Sequence, residues 1–451
     1  MRRPQPAASR RAFLGALSAA SYQRVLGANE RIRVGCIGCG IIAGHHLSHL
    51  SDMRDVEMAA MCDAYLPRAE KYVAQFSPRA KAHQDFRRVL EDKSIDAVFI
   101  CTPPHWHALM TILACAAGKD VYVEKPMTVF VKEGRWVIEA AHRYKRVVQV
   151  GTQQRSLPHY QKAATELLRG YLGKLSSIRS GAVRNVSPGW GKPPDTPPPP
   201  GLDWDLFLGP APRHPHNSNR GMNNFKLQTA RWYWDTDGGQ QTNMGVHEMD
   251  VILWALQVKG PTKVVSFGGR RVLDDSAEVP DTQDSLFEFP GGTTAAFSYR
   301  EASVGGQPIP VLWFFGTKGG MNLSRDGFEI FPDAKNPEGD LPGSIRPAKR
   351  ELAVEPLKME PSSKVYGGMD LHERNFFDCV RSRKTPNATV EAGHYAAASC
   401  HLANLSLRLG GRMLQWDAEK EDFRGDNEAS AMLVRPYSAP WDRELRALGL
   451  G

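Results

Sequence analysis

Between residues 30 and 151, short apolar runs alternate with stretches whose apolar positions recur at helical spacing. "RIRVGCIG", "VEMAAMC", "IDAVFICT", "DVYVE" and "RVVQVGT" are near-continuous apolar segments, the pattern of parallel strands buried on both faces. Ala43, Leu47 and Leu50 keep one helical face, and "HALMTILACAAG" predicts a helix that stops at Gly118. Strand–helix alternation with short loops predicts an α/β fold, a Rossmann doubly wound parallel sheet. From residue 152 the pattern changes. "PHYQKAATELLRGYLG" predicts a helix and "KLSSIRSGAVRNV" an extended run, and the Pro-rich stretch from Pro188 to Gly201 reads as a long loop. Residues 262–331 carry β-branched and aromatic runs between Gly turns, the signature of an antiparallel sheet, and the final 80 or so residues return to helix.

Composition adds little to this picture except at the start of the chain. The 451 residues are long enough for two or three domains, and 41% hydrophobic with 24% charged residues is ordinary for a globular protein. The net charge of +8 is unevenly spread, because Arg2, Arg3, Arg10, Arg11 and Arg24 lie in a leading stretch without acids. No basic run with interleaved aromatics follows, so nucleic acid is not an expected partner. Ser9-Arg10-Arg11-Ala12-Phe13-Leu14 and the weakly apolar run after it predict a twin-arginine signal over residues 1–29, and hence a periplasmic protein exported already folded. That route suits a protein that acquires its cofactor before export. No later stretch is long and apolar enough to predict a transmembrane helix.

"RVGCIGCGIIAGHHL", residues 33–47, holds two overlapping motifs. Cys36 and Cys39 have C-x-x-C spacing, while Gly38 to Ala43 read G-x-G-x-x-A. The glycine motif has the context that gives it meaning: a strand before, a helix after, and Asp63 at the end of the next strand. Gly38 permits the turn, Gly40 lets the backbone approach a pyrophosphate, and Asp63 suits an adenosine ribose. With no Arg immediately after Asp63, NAD is expected over NADP. The cysteines, within a strand and a turn, are expected to be passengers, and no metal site is expected.

Two further segments end predicted strands, where open α/β sheets place ligands: "TPPHWHA" and "GKDVYVEKPM". Lys125, beside a cofactor, could act as acid or base, or be an ordinary exposed lysine. In "GGQQTNMGVHEMDVILWAL" a helix is expected from Gly245. Asn243, His247 and Asp250 would share a face if that helix extended back far enough. His45, His46 and His49 read as surface or packing residues.

Together these motifs resemble the Gfo/Idh/MocA family, through "VGCIGCGIIA", "TPPHWHALMTILACAAGKDVYVEKPMT", "GTQQRS", "GGQQTNMGVHEMD", "FFGTKGGMNL" and "HERNFFDCVRSRKTPNATVEAGH". The resemblance implies a Rossmann domain over residues 30–151 and a second α/β domain over 152–451. That second domain would carry a large, mostly antiparallel open sheet often used to form homo-oligomers, with helices from about 366 packing back. It implies oxidation or reduction of a sugar or polyol. Gly38, Cys39, Gly40, Ile41, Ile42, Asp63, Thr102, Pro103, His105, His107, Glu124 and Lys125 would hold the cofactor. Lys125, His247 and Asn243 would be catalytic, although the family commonly has Asp where this chain has Asn243; Asp250 could compensate by orienting the imidazole. Gln154, Arg155, His159, Arg231 and Trp232 are the expected substrate contacts. Two rival readings are an NAD-dependent, redox-neutral glycosidase and a non-catalytic sugar- or nucleotide-binding protein.

Overall fold

The computed structural model describes residues 31–221, 229–305, 312–335, 351–361, 363 and 366–450; the expected signal lies outside them. Six strands form the first sheet: β1 (Ile32–Ile37), β2 (Val56–Cys62), β3 (Lys81–His83), β4 (Ala97–Ile100), β5 (Asp120–Val123) and β6 (Val148–Val150). Their order is β3-β2-β1-β4-β5-β6 and every pairing is parallel. The order reverses between β1 and β4, and a crevice opens there at the strands' carboxyl ends. Four residues of β4 and four of β5 are all buried, as their unbroken apolar runs require. β3 has no apolar run; it is a partly exposed edge strand of three residues.

Gly38 follows β1 with φ +89°, and a Cβ there would collide with the backbone of Cys101 and Thr102. The chain then enters α1 (Ile41–Leu50), whose buried face is Ala43, His46, Leu47 and Leu50. Two more helices of this half matter for the site: α2 (His107–Ala116) and α3 (Val131–Arg143).

The second half is built on a ten-stranded sheet. Its strands are β7 (Leu175–Val183), β8 (Lys263–Gly269), β9 (Thr282–Glu288), β10 (Thr294–Arg300), β11 (Leu312–Gly316), β12 (Gly319–Ser324), β13 (Gly327–Pro332), β14 (Leu357–Met359), β15 (Leu414–Asp417) and β16 (Asp422–Phe423). They lie in the order β14-β13-β12-β11-β7-β10-β9-β8-β15-β16, mostly antiparallel, with β7 and β10 parallel. One face packs on helices: α4 (Gly239–Asn243) leads into α5 (Gly245–Leu256), and the long α7 (Val390–Arg408) lies beside it after α6 (Met369–Ser382). The strands alternate, so the opposite face shows the other set of side chains, including Phe267, Leu286, Phe315 and Phe331, all exposed.

α6 leaves this half and packs on the first sheet. Phe376 and Phe377 enter a core containing Phe99 and Tyr122, which stack with centroids 4.7 Å apart. The parallel sheet therefore gains part of its apolar cover from a helix more than 200 residues downstream. All seven cysteines are buried free thiols. Hydrogen bonding among thiols and burial push Cys36 and Cys39 well above the usual range, the opposite of a reactive dithiol. No described helix is long and apolar enough to cross a membrane.

Candidate active site

A cleft of about 680 Å3 lies at the crevice between the two halves, and its lining divides by chemistry. One part is made by the glycine turn. Gly38, Cys39, Gly40, Ile41 and Ile42 border it. A Cβ on Gly40 would meet nothing within 4 Å, so the missing side chain leaves open space next to the start of α1. α1 has no side-chain cap and no acid in its first turn, so its leading N–H groups and dipole face that space. The cradle fits a pyrophosphate.

Asp63, at the end of β2, also borders the cleft. Its Oδ2 accepts from the Cys39 N–H at 2.8 Å, and its Oδ1 accepts from the Tyr65 N–H at 2.9 Å. Arg68 Nη1 lies 3.3 Å from Oδ2, a partner that the sequence spacing did not suggest. Thr102, Pro103 and His107 line the same crevice from the β4 side. His107 bonds the carbonyl oxygens of Pro126 (2.7 Å) and Thr102 (2.8 Å), and so ties the "EKP" turn to the "TPP" turn.

Lys125 follows β5 and reaches the wall formed by α4 and α5. Its Nζ donates to the main-chain oxygen of Asn243 at 3.0 Å and to Oδ1 at 2.9 Å. A lysine only donates, so Oδ1 must face it and Nδ2 faces away, toward Gln240 Oε1 at 3.2 Å. Gln240 Nε2 in turn donates to Glu301 Oε1 at 2.6 Å, and Arg184 pairs with that carboxylate. A donor at one end and an acceptor at the other fix the polarity of both amides. Burial, reinforced by Arg231 and Arg325 and opposed by Glu124 and Asp237, pulls Lys125 down to about 8.

Behind Lys125, Glu124 is anchored by a residue of α1. His46 is fully buried, with Nε2 3.0 Å from Glu124 Oε1 and Nδ1 2.6 Å from Glu373 Oε1 on α6. Burial alone would lower His46, but the two carboxylates outweigh it and lift it to about 9, so the imidazolium donates both N–H groups. Burial would raise Glu124, but the His46 hydrogen bond and charge, with Lys125, bring it below its ordinary value.

His247 enters from the first turn of α5. It is buried, its Nδ1 has no hydrogen-bond partner, and burial aided by the charges of Lys125 and Arg325 holds it well below its ordinary value. The imidazole is neutral. The helix does not run straight back to Asn243: it breaks at Met244, and this break turns both Asn243 and His247 into the cleft. Asp250 does not orient His247. It accepts from Arg155 Nε at 2.8–2.9 Å instead.

Several expected contacts lie elsewhere. His105 is buried against the Phe207 carbonyl at 2.9 Å, outside the cleft lining. Arg155 is held by Asp250 and stacks on Trp254, and His159 bonds the Ser324 carbonyl at 3.1 Å. Gln154 is buried, and Trp232 packs with Tyr233 and Val279 beneath Arg184. Of the expected substrate contacts, Arg231 alone lines the cleft. Gln153, Asp237 and Arg325 line it without having been anticipated.

Known protein families match both halves of the chain. "Oxidoreductase family, NAD-binding Rossmann fold" matches residues 32–152. The Gfo/Idh/MocA C-terminal domain matches 212–322, and the family's C-terminal alpha/beta domain matches 357–443. The chain belongs to the Gfo/Idh/MocA oxidoreductases. It is 25% identical over 300 residues to the uncharacterised oxidoreductase YrbE of Bacillus subtilis, spanning 64% of this chain and 73% of that one. It is 31% identical over 154 residues to inositol 2-dehydrogenase of Salmonella typhimurium, a match spanning 34% of this chain and 43% of the relative, less than half its length. In fold it is similar to GenD2 of gentamicin A biosynthesis, solved in complex with NAD, with a TM-score of 0.63 and 20% identity over 86% of this chain and 97% of the other. As a Gfo/Idh/MocA protein, it has an NAD-binding Rossmann domain, and the glycine cradle with Asp63 is where NAD fits.

Proposed function

We propose that the chain transfers hydride between tightly held NAD and a hydroxyl-bearing carbon of a sugar or polyol, with Lys125 as the base. The observation that carries this reading is Lys125 itself, a lysine drawn down to about 8 and fixed by two bonds to Asn243 in a cleft that begins at the glycine turn. Bound NAD supplies the hydride acceptor; the protein supplies orientation and proton transfer. As a neutral amine, Lys125 uses both N–H bonds on Asn243, which turns its lone pair away from Asn243 to take a hydroxyl proton. Neutral His247, which lines the same cleft, can hold or pass that proton. A sugar or polyol is supported by the inositol dehydrogenase named among the relatives.

The twin-arginine element supports export to the periplasm in the folded state, which requires the cofactor to be carried along and recycled in place. Cell fractionation of the full chain with and without Arg10 and Arg11 tests this: the Lys-substituted chain stays in the cytoplasm. The reaction is tested by denaturing purified protein to identify the bound nucleotide, then following NADH absorbance as sugars and aryl glycosides are added. Sugar-dependent absorbance at 340 nm (the ordinary NADH band, roughly, from the cofactor's own chemistry) supports a dehydrogenase. Aglycone release without net NADH contradicts it.

A further inference from the structure

An amide, unlike a carboxylate, can face its neighbour the wrong way round. With Asn243 Oδ1 at 2.9 Å and the main-chain oxygen at 3.0 Å, both N–H bonds of a neutral Lys125 are used and its lone pair is left for the substrate hydroxyl. Turned over, the same side chain would present Nδ2, whose N–H would donate into that lone pair and occupy it. One amide rotation separates a free base from a blocked one.

As an ammonium, Lys125 enforces the productive orientation, because it only donates. Once neutral it also accepts, and the choice passes to residues further back. Asn243 Nδ2 donates to Gln240 Oε1 at 3.2 Å, and Gln240 Nε2 donates to Glu301 Oε1 at 2.6 Å. That same oxygen accepts from Arg184 Nε, and a guanidinium has donors only, so Oε1 serves as an acceptor. The direction of each hydrogen bond back to Lys125 follows from it.

The anchor is rigid. Glu301 directly follows β10 and is buried; its N–H donates to the Asp281 carbonyl and its carbonyl accepts from the Val186 N–H, both at 2.8 Å. Arg184 lies over the Trp232 ring at 4.6 Å. Gln240 is buried in α4, where its amide has little water to turn toward. Neither Gln240 nor Glu301 borders the cleft.

We infer that Glu301 and Gln240 are positioning residues for the reaction: they hold the Asn243 amide with its oxygen on the neutral amine of Lys125, and so keep the lone pair open to substrate. The inference rests on the reading of Lys125 as the base.

The test is a double-mutant cycle on the NAD-loaded protein. Glu301→Met removes the acceptor at similar bulk, and Asn243→Asp offers an oxygen whichever way the side chain turns. Two properties are read: kcat and KM with their pH profiles on an oxidised sugar, and competitive acetylation of Lys125 followed by mass spectrometry, which needs no substrate. With Asn243 in place, Glu301→Met is expected to lower kcat at least about tenfold while KM stays nearly unchanged. Acetylation of Lys125 should slow by a similar factor, and the pH limb should move downward, because an amide N–H on Nζ disfavours the ammonium. In the Asn243→Asp protein the same change should cost less than about twofold. Gln240→Met breaks the chain one step nearer and should repeat the pattern; it decides the matter if Glu301→Met misfolds. Equal losses in both backgrounds mark a merely structural role and overturn the inference, as does an unmoved limb with unchanged acetylation when Asn243 is present. If the wild type oxidises no sugar, the dehydrogenase reading fails, and the acetylation cycle still decides whether the amides hold Lys125 as inferred.

Discussion

Lys125 Nζ donates to both oxygens of Asn243, the main-chain carbonyl at 3.0 Å and Oδ1 at 2.9 Å. An uncharged amide holds the amine in place and favours its ammonium form less than a carboxylate would. Oxidation needs the neutral amine, so kcat/KM in that direction rises with pH through a limb near 8. Asn243→Asp places a negative charge against Nζ, which favours the ammonium, so the limb moves up by about one unit or more. Initial-rate pH profiles of the two proteins check this, and an unmoved limb would sink it.

Asp237 works in the same sense from further off, since its carboxylate raises Lys125. Asp237→Asn should therefore move the limb downward. The opposite signs of these two variants distinguish an effect on Lys125 from general damage to the site.

His46 ties α1 to α6 through Glu124 and Glu373. Its value rises from 6.5 in the unfolded chain to about 9 in the fold, so the stabilisation is complete below 6.5 and is lost as pH rises through 9. The amount at stake is on the order of 3 kcal/mol. Thermal unfolding of the wild type should weaken between those pH values, and His46→Gln should flatten that dependence while lowering stability at pH 6. A wild-type curve as flat as that of the variant would contradict the charged triad.

Asp63 is expected to set the cofactor preference. Its carboxylate, braced by the Cys39 and Tyr65 N–H groups, would repel a 2′-phosphate, while Arg68 and Lys71 border the same cleft and could receive one. Asp63→Ser should raise the affinity for NADP relative to NAD at least tenfold. Titration of nucleotide-stripped protein with each cofactor measures the ratio.

On the outer face of the ten-stranded sheet, Trp313 stacks on Phe315 with centroids 5.6 Å apart and lies 5.4 Å from Phe331. Such an exposed apolar cluster suits a subunit contact, and we expect a homo-oligomer in solution. Phe315→Asp should shift the mass found by light scattering toward the monomer; a wild-type monomer would refute the expectation.

The parallel half was legible because its signals are local. An apolar run, two glycines and a helical stripe lie within about 20 residues of one another, and so β1, the turn and α1 could be read directly. β3 could not, because "KAH" has no apolar run and pairs only at an edge. The glycine turn, Lys125, Asn243 and His247 fell in one cleft because each ends or begins an element that the pattern locates. The substrate contacts fared worse. In the short helix Gln153–Ser156 the residue facing the cleft is Gln153, while Arg155 turns to Asp250, and sequence spacing alone does not choose between those faces. The His46 triad was out of reach: its members are 78 and 327 residues apart, and only the packing of α6 on the first sheet brings them together. Asp237 and Arg325 depend likewise on where loops of the second half meet the first.

The central claim is that Lys125 takes the substrate proton. Lys125→Met keeps the side chain's bulk and removes the amine. The decisive measurement is NADH formation by this variant, with its bound nucleotide quantified after denaturation. A full complement of NAD together with a rate reduced by about two to four orders of magnitude is expected. Reduction of the cofactor at the wild-type rate would contradict the account.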